Sequence, residues 1–229
     1  MNSAQKKTNS PLGIRAKKAL DTRTKILKAA IKVFAKHGYE GGRIEQISTL
    51  AKSYDRMIYY YFGSKEKLFI EVLETMYIQF NEAERSLKPD PDDPQLALSQ
   101  VTDFTWHYYL AHPEFVALIT SENLSRGKHA SKSSQLQDIA LPALAVLDGV
   151  LEQGKAQGIF RPEVQVRDVY LIIASMGYFY NSNHHTLSAL LGEKLMDKKA
   201  LLHWREVIQH TVLNAVRIHP ADRSPARQS

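Results

Sequence analysis

The chain of 229 residues contains no cysteine, which excludes disulfide bonds, thiolate metal sites and thiol-based redox sensing. Sustained strand alternation between glycine-rich turns is also missing. Residues 169–192 carry no charged side chain, but only 169–180 are mainly apolar, and a membrane-spanning helix needs about 20 apolar residues. We therefore expect a buried helix there. The N-terminus lacks the apolar segment of a secretory signal, so the expected location is the cytoplasm.

The charge is distributed unevenly along the chain. Residues 1–65 hold 14 basic and 4 acidic side chains, whereas the remainder holds 16 basic and 20 acidic ones. A basic N-terminal part, residues 1–65, followed by a slightly acidic remainder indicates that the N-terminal part binds a polyanion. The alternative on charge alone is a solvated basic face with no partner.

Apolar residues recur at helical spacing throughout, which predicts an all-α protein. A proline-rich linker at 88–94 separates two groups of helices. The first group is expected at 22–37, 44–51, 55–62 and 65–87, and the second at 95–111, 114–124, 134–156, 166–188 and 197–217. The predicted domains are a flexible basic arm (1–20), a three-helix DNA-binding domain (21–65), a helical dimerisation and effector-binding domain (66–217) and a disordered tail (218–229).

The second and third short helices are joined by three residues, 52–54, which is typical of a helix-turn-helix. Ile58 and Phe62 lie four apart and can pack inward together, which leaves Arg56 and Tyr60 on the opposite side. An exposed helix face of this kind fits the major groove of DNA. Lys65, at the start of the next helix, would add a phosphate contact. A plain helical hairpin whose tyrosines cover the core is the competing interpretation.

The segments ILKAAIKVFAKHGYEGGRIEQIS and IYYYFGSKEKLF resemble the DNA-binding domain of the tetracycline-repressor (TetR) family of bacterial transcriptional regulators. The resemblance covers residues 22–68. It implies an N-terminal helix-turn-helix followed by a divergent all-α domain that dimerises and often binds a small effector. It also implies that Tyr59 and Tyr60 contact phosphate and thymine methyl groups, and that Lys65 binds phosphate. The candidate DNA-contacting residues are Gly42, Arg43, Tyr54, Asp55, Arg56, Met57, Tyr59, Tyr60 and Lys65.

Several positions depart from the family pattern. Gly42 stands where a threonine is common, Lys52 replaces the usual turn glycine, Tyr54 replaces a serine or threonine, and Tyr61 replaces a frequent histidine. Lys52 is therefore expected to adopt a left-handed conformation that disfavours residues other than glycine. Asp55 could cap the helix, accept a hydrogen bond from cytosine, or repel phosphate. These departures concern the operator sequence and leave the binding mode unchanged.

An effector pocket, if present, would be mainly apolar with a few convergent polar groups. The candidates for its lining are Phe104, Trp106, His107, Tyr108, Asn123, Tyr178, Asn181 and His185, although aromatic residues at helical spacing are usually core residues. His184 and His185, with His107 and His112, suggest a metal sensor, but adjacent histidines on a helix face different ways and no further ligand pattern supports a site. We expect neither a metal nor another cofactor.

Apolar stripes on 166–188 and 197–217 are either internal core or the seam of a dimer, and the resemblance favours the seam. The leading hypothesis is a homodimeric repressor that binds a palindromic DNA operator and releases it when a small molecule binds. A non-specific nucleoid-type DNA-binding protein is one alternative. An all-helical enzyme or metal-binding bundle is another, although no nucleophile elbow, phosphate loop or paired carboxylate-histidine motif is present, so we expect no enzymatic activity.

Overall fold

A computed structural model of the protein describes residues 11–140 and 144–218. Within these residues the chain forms ten α-helices and one 3-10 turn, Ala130–Lys132. The helices are α1 (Pro11–Gly41), α2 (Ile44–Ala51), α3 (Asp55–Phe62), α4 (Lys65–Arg85), α5 (Pro94–Ala111), α6 (Pro113–Leu124), α7 (Leu136–Ala140), α8 (Ala145–Ala156), α9 (Val166–Leu191) and α10 (Lys198–Val216). Within this part of the chain, the extended pairing is one isolated bridge between Phe160 and Arg217. The prediction of an all-α fold is confirmed.

The expectation of a flexible arm over 1–20 is wrong for residues 11–20, which are helical. Proline is well suited to the first turn of a helix, where its missing N–H costs nothing. The alanines, lysines and leucines that follow are good helix formers, so α1 begins eleven residues ahead of the start predicted at residue 22. It is interrupted at Gly38, as predicted. Residues 1–10 lie outside the described residues.

The helix-turn-helix segments begin and end as predicted, because capping interactions set their limits. The side-chain amide oxygen of Gln46 accepts the N–H of Arg43 at the start of α2, at 2.9 Å. At the start of α4, the Ser64 hydroxyl accepts the N–H of Lys67 at 3.1 Å. Asp93 caps α5 by accepting the N–H groups of Gln95 and Leu96, and such caps contribute about 1 kcal/mol each.

The chain divides into two compact units. The first consists of the chain up to Met76 together with Ala117–Ser134, and the second consists of Tyr77–Val116 together with the chain from Gln135 onward. The division therefore falls inside α4 and inside α6, beyond the boundary expected at residue 65.

The first unit has a small core in which α1, α2 and α3 meet the beginning of α4. Ile26, Phe34, Ile47 and Ile58 are fully buried there. The rings of Phe34 and Phe69 pack edge to face with centroids 5.0 Å apart. This core positions α3, because Ile58 and Phe62 turn inward and the opposite side of the helix is left exposed.

The core of the second unit is formed by α5, α8, α9 and α10. Its members include Leu98, Trp106, Leu151, Ile173 and Ile208, all of them buried. Trp106 packs edge to face on Tyr180, whose hydroxyl donates to the carbonyl of Leu195 at 2.6 Å.

Of the tail expected at 218–229, the structure describes Ile218 alone, and residues 219–229 lie outside the described residues. Ile218 donates its N–H to the carbonyl of Ile159.

Candidate nucleic-acid interface

The turn between α2 and α3 is closed by backbone and side-chain hydrogen bonds. Lys52 adopts the left-handed conformation expected of it, with φ 51° and ψ 47°. Ser53 donates its N–H to the carbonyl of Ser48 at 2.9 Å, and the Ser48 hydroxyl donates to the carboxylate of Asp55. A left-handed residue other than glycine costs on the order of 1 kcal/mol. The hydrogen bonds across the turn offset that cost and hold α3 against α2.

The outer side of α3 carries three large polar side chains. Tyr60 is 77% exposed and Tyr59 is 52% exposed, and Arg56 is exposed beside them, whereas Ile58 on the inner side is 0% exposed. Met57 is half-buried at the edge of this surface. The hairpin interpretation, in which the tyrosines cover the core, is therefore excluded for Tyr59 and Tyr60. The face expected to meet DNA is accessible.

Arg56 is ordered by its neighbour at the start of the helix. Its guanidinium carbon lies 5.3 Å from the centroid of the Tyr54 ring, a cation–π distance. Tyr54 is 70% exposed and has extended rather than helical backbone angles. Tyrosine at this position, where the family commonly has serine or threonine, therefore provides a platform that limits the freedom of Arg56.

Asp55 is the first residue of α3, and its carboxylate is engaged inside the protein by the Ser48 hydroxyl. The N-cap position itself is occupied by Tyr54, which makes no side-chain capping bond. A carboxylate in the first turn also interacts favourably with the helix dipole. The contact with Ser48 differs from the three roles considered for Asp55, which were a helix cap, a cytosine contact and repulsion of phosphate.

Lys65 stands at the first turn of α4 and is held by two groups. Its ammonium nitrogen lies 4.6 Å from the centroid of the Tyr39 ring and 3.4 Å from the carbonyl oxygen of Glu40. The following acid, Glu66, forms a salt bridge with Lys132, and this hydrogen bond lowers the pKa of Glu66. Lys132 thus compensates the negative charge closest in sequence to Lys65.

Gly42 and Arg43 lie at the junction of α1 and α2. Gly42 is buried and donates its N–H to the carbonyl of Gly38 at 3.1 Å. A β-carbon there would lie 2.6 Å from the Phe34 ring, so the threonine common in the family does not fit without rearrangement. Arg43 is exposed at the N-cap of α2. Of the two, Arg43 alone has a free side chain to present to a ligand.

A basic groove on the first unit was missed in the sequence reading. It has a volume of about 470 Å³ and runs along α1 to the end of α2. The five lysines that line it are Lys18, Lys25, Lys28, Lys32 and Lys52. The four lysines on α1 are spaced by seven, three and four residues, which is the spacing of a single helix face and could have been recognised in the sequence.

The residues predicted for an effector pocket lie in different surroundings. His107, Asn123 and His185 are exposed, and Asn123 belongs to the first unit. Asn181 is buried but donates to the carbonyl of Gly177 on its own helix. Trp106 belongs to the central core of the second unit. Phe104 and Tyr108 pack on Phe80, with centroids 5.5 and 4.8 Å away; Tyr178 is half-buried.

The described residues were also compared with the requirements of a metal site and of a membrane-spanning helix. Among them, no group of three or more histidine, aspartate or glutamate side chains is arranged to hold a metal ion. None of their helices is both long enough and apolar enough to cross a membrane.

The exposed third helix, the closed turn and the basic surface define a helix-turn-helix DNA-binding regulator. Two family models match the chain: "Bacterial regulatory proteins, tetR family" over residues 26–72 and "Tetracyclin repressor-like, C-terminal domain" over residues 94–212. The chain belongs to the TetR family of DNA-binding transcriptional regulators.

Individual relatives agree with this membership. The HTH-type transcriptional repressor NicS of Pseudomonas putida is 54% identical over 205 residues, which are 90% of this chain and 97% of that protein. The regulator RutR of Escherichia coli is 48% identical over 48 residues, 21% of this chain and 23% of that protein. The solved structure of the transcriptional regulator SCO4942 from Streptomyces coelicolor has the same fold, with a TM-score of 0.64 at 24% identity, covering 85% of this chain and 98% of that one.

Proposed function

We propose that the protein is a homodimeric repressor that binds a palindromic operator in the cytoplasm and is released from it by a small molecule. The observation that carries the proposal is the exposed side of α3, where Arg56, Tyr59 and Tyr60 project away from the buried Ile58. Arg56 would read base edges, since arginine is the commonest specific partner of guanine. The Pseudomonas putida relative is named a repressor, which supports repression rather than activation.

The phosphate contacts would come from groups around α3. Lys65 and the free amides at the start of α4 would bind one phosphate, since helix N-termini attract anions. Arg43 and the lysines of the basic groove would add charge to the surface. Such contacts fix the register of a protein on DNA without reading its sequence.

Dimerisation is supported by apolar side chains left uncovered on the second unit. Leu171 and Phe179 of α9 and Leu202 of α10 are each about half exposed, whereas Ile208, in the same predicted stripe, is buried in the core. Ile208 therefore belongs to the internal core, and we assign the exposed Leu202 to the proposed dimer seam. A groove of about 790 Å³ next to Phe179, lined also by Leu187, Leu191 and Trp204, would be closed by a second copy. Exposed apolar surface of this kind marks an interaction site.

The test begins with selection of genomic fragments by the purified protein, followed by footprinting of the recovered sites. We expect a two-fold symmetric site with half-sites about 10 base pairs apart, bound about 10³-fold or more tightly than random DNA. Equal affinity for all duplexes would contradict the proposal and favour the nucleoid-type alternative.

The dimer is tested separately by size-exclusion chromatography with light scattering. Phe179→Glu and Leu202→Glu should produce monomers that have lost operator binding while keeping their helical circular dichroism. Leu124→Glu is the matched control, because Leu124 is an exposed leucine of the first unit. A wild-type monomer that still binds the operator would contradict the dimer.

A further inference from the structure

The second unit contains an acidic residue that is buried without a partner among the described residues. Glu84, near the end of α4, is 4% exposed. Within the described part of the chain, no basic side chain or hydrogen-bond donor is recorded against its carboxyl group. A buried carboxylate is ordinarily paired, because leaving it alone in an apolar environment costs several kcal/mol. Burial accordingly raises the pKa of Glu84 to about 7.

Asn81, about one turn earlier on α4, also has a polar side-chain atom without a hydrogen-bond partner among the described residues. Its side-chain nitrogen donates to the carbonyl of Ile139, which fixes the orientation of the amide. Its side-chain oxygen is buried and has no hydrogen-bond partner among the described residues. Residues three apart on a helix are neighbours. Asn81 therefore presents a buried acceptor without a donor, and it lies three residues from the buried side chain of Glu84.

The surroundings of these two side chains are aromatic. Tyr109 of α5 and Tyr170 of α9 are close enough to Glu84 for its charge to raise the pKa of both phenols, in addition to the larger effect of their burial. Tyr77 and Tyr178 lie within electrostatic range of Tyr109 as well. These four tyrosines come from α4, α5 and α9, and each of them is titratable.

Packing holds part of this aromatic surface in place. Tyr109 stacks on Phe115 with centroids 6.0 Å apart, and Tyr77 packs edge to face on the same ring at 5.5 Å. On α9, a β-carbon at Gly177 would lie 3.0 Å from the Tyr109 ring, so the absence of a side chain allows the close approach of α5 and α9. Tyr109 therefore has little freedom to turn away.

We propose that Glu84 and Asn81, together with Tyr109 and Tyr170, form the site of the small-molecule effector, and that this effector is a compact organic cation such as an amine or a protonated nitrogen heterocycle. The ligand class follows from two groups: the buried oxygen of Asn81 requires a donor, and the carboxylate of a buried glutamate favours a positively charged one. Aromatic faces attract cations further. The assignment of this site as the regulatory one rests on the proposed function.

The test uses the full-length protein without DNA and three probes that share one ring: benzylammonium, benzyl alcohol and benzoate. Binding is measured by calorimetry and by the rise in melting temperature that a ligand of the native state produces. Benzylammonium should bind, and the neutral and anionic probes should bind at least tenfold more weakly. Equal binding of the alcohol, preferential binding of benzoate, or no stabilisation by the cation would each overturn the proposal.

Variants and pH assign the binding to Glu84. Glu84→Gln should weaken benzylammonium binding at least tenfold, whereas Glu82→Gln, an exposed acid on the same helix, should leave it unchanged. Benzylammonium stays charged between pH 6 and 8, so wild-type affinity should rise roughly tenfold over this range as Glu84 ionises. A flat pH profile, or equal effects of the two variants, would overturn the assignment. If Glu84→Gln fails to fold, the probe series and the pH profile of the wild type still decide.

A separate experiment measures whether the cation releases the protein from its operator. Benzylammonium at saturating concentration should lower operator affinity of the wild type and leave that of Glu84→Gln unaffected. Binding of the cation without any loss of operator affinity would overturn the regulatory assignment while specific DNA binding still stood. Conversely, a protein without operator specificity that still binds the cation would contradict the proposed function and leave the cation site intact.

Discussion

The imidazole of His129 lies against the ring of Tyr39, with centroids 4.1 Å apart, and the same tyrosine ring holds the ammonium group of Lys65 at 4.6 Å. The buried carboxylate of Glu122 accepts the backbone N–H groups of His129 and Ala130 and lies 2.8 Å from the His129 ring. All of these residues belong to the first unit. A continuous set of contacts therefore leads from the loop after α6 to the proposed phosphate-binding lysine.

Glu122→Gln should destabilise the protein by about 1–3 kcal/mol, because the amide cannot satisfy both backbone donors and the imidazole with equal strength. Urea unfolding measures the change. Glu45→Gln, an exposed acid of the same unit, is the control and should be neutral within about 0.5 kcal/mol. Equal effects of the two substitutions would show that the buried carboxylate is not a stabilising element.

Lys65→Ala should weaken binding to every duplex and reduce the salt dependence of binding by about one unit, since one phosphate contact is lost. The slope of the logarithm of affinity against the logarithm of salt concentration measures this. Lys88→Ala removes the same charge from an exposed position in the linker and should leave the slope unchanged. An unaltered slope for Lys65→Ala would remove it from the phosphate contacts.

Arg56→Ala should cost about 1–3 kcal/mol on the operator and relax the preference at a single base position. Competition between operator variants reveals both effects. Tyr54→Leu, which removes the ring beside the guanidinium, should have a smaller effect in the same direction. Arg85→Ala, at the exposed end of α4, is the charge-matched control, and a uniform loss across sequences would make Arg56 a backbone contact.

Gly42→Thr should destabilise the protein by about 1–3 kcal/mol, because the added atoms overlap the Phe34 ring and force the core to shift. Thermal unfolding is the measurement. Gly41→Ala is the neighbouring control, since a β-carbon there meets only the His37 β-carbon, at 3.4 Å. If Gly42→Thr were as stable as the wild type, the packing explanation for this departure from the family would be wrong.

The free energy of unfolding should depend on pH through Glu84. Its pKa in the folded protein, about 7, lies above its ordinary value of 4.5, so the native state holds a proton that the unfolded state has lost. Stability should therefore fall as the pH rises from about 4.5 to 7, by about 2–3 kcal/mol at most. In Glu84→Gln this part of the decline should disappear. Identical profiles for the two proteins would mean that Glu84 titrates normally.

Much of the helix-turn-helix part of the chain could be predicted from the sequence. The limits of α2 and α3 agree with prediction because Ile47, Ile58 and Phe62 recur at helical spacing and because turns and caps are local. The left-handed Lys52 was expected from the resemblance to the family, in which this turn position is usually glycine. The start of α1 was missed, since a basic segment with one proline and one glycine has the composition of an arm although nothing in it prevents a helix.

The proposed effector site was not predictable in this way. Among the candidates chosen from the sequence, His107 and His185 are exposed. The proposed site instead contains Glu84 and Asn81, which are buried. They lie near the polar end of α4, where the sequence alone predicts a solvent-exposed surface. Their burial depends on contacts with α5, α7 and α9, which are distant in the chain.

The sequence by itself determined the helical class, the helix-turn-helix and the side of α3 that faces outward, because periodicity and capping act over a few residues. Only the tertiary structure decided which polar groups lose water: it paired Glu122 with His129, covered Gly42 with Phe34 and buried the side chain of Glu84. The reason is physical, since desolvation depends on every segment packed around a group, and those segments come from different parts of the chain.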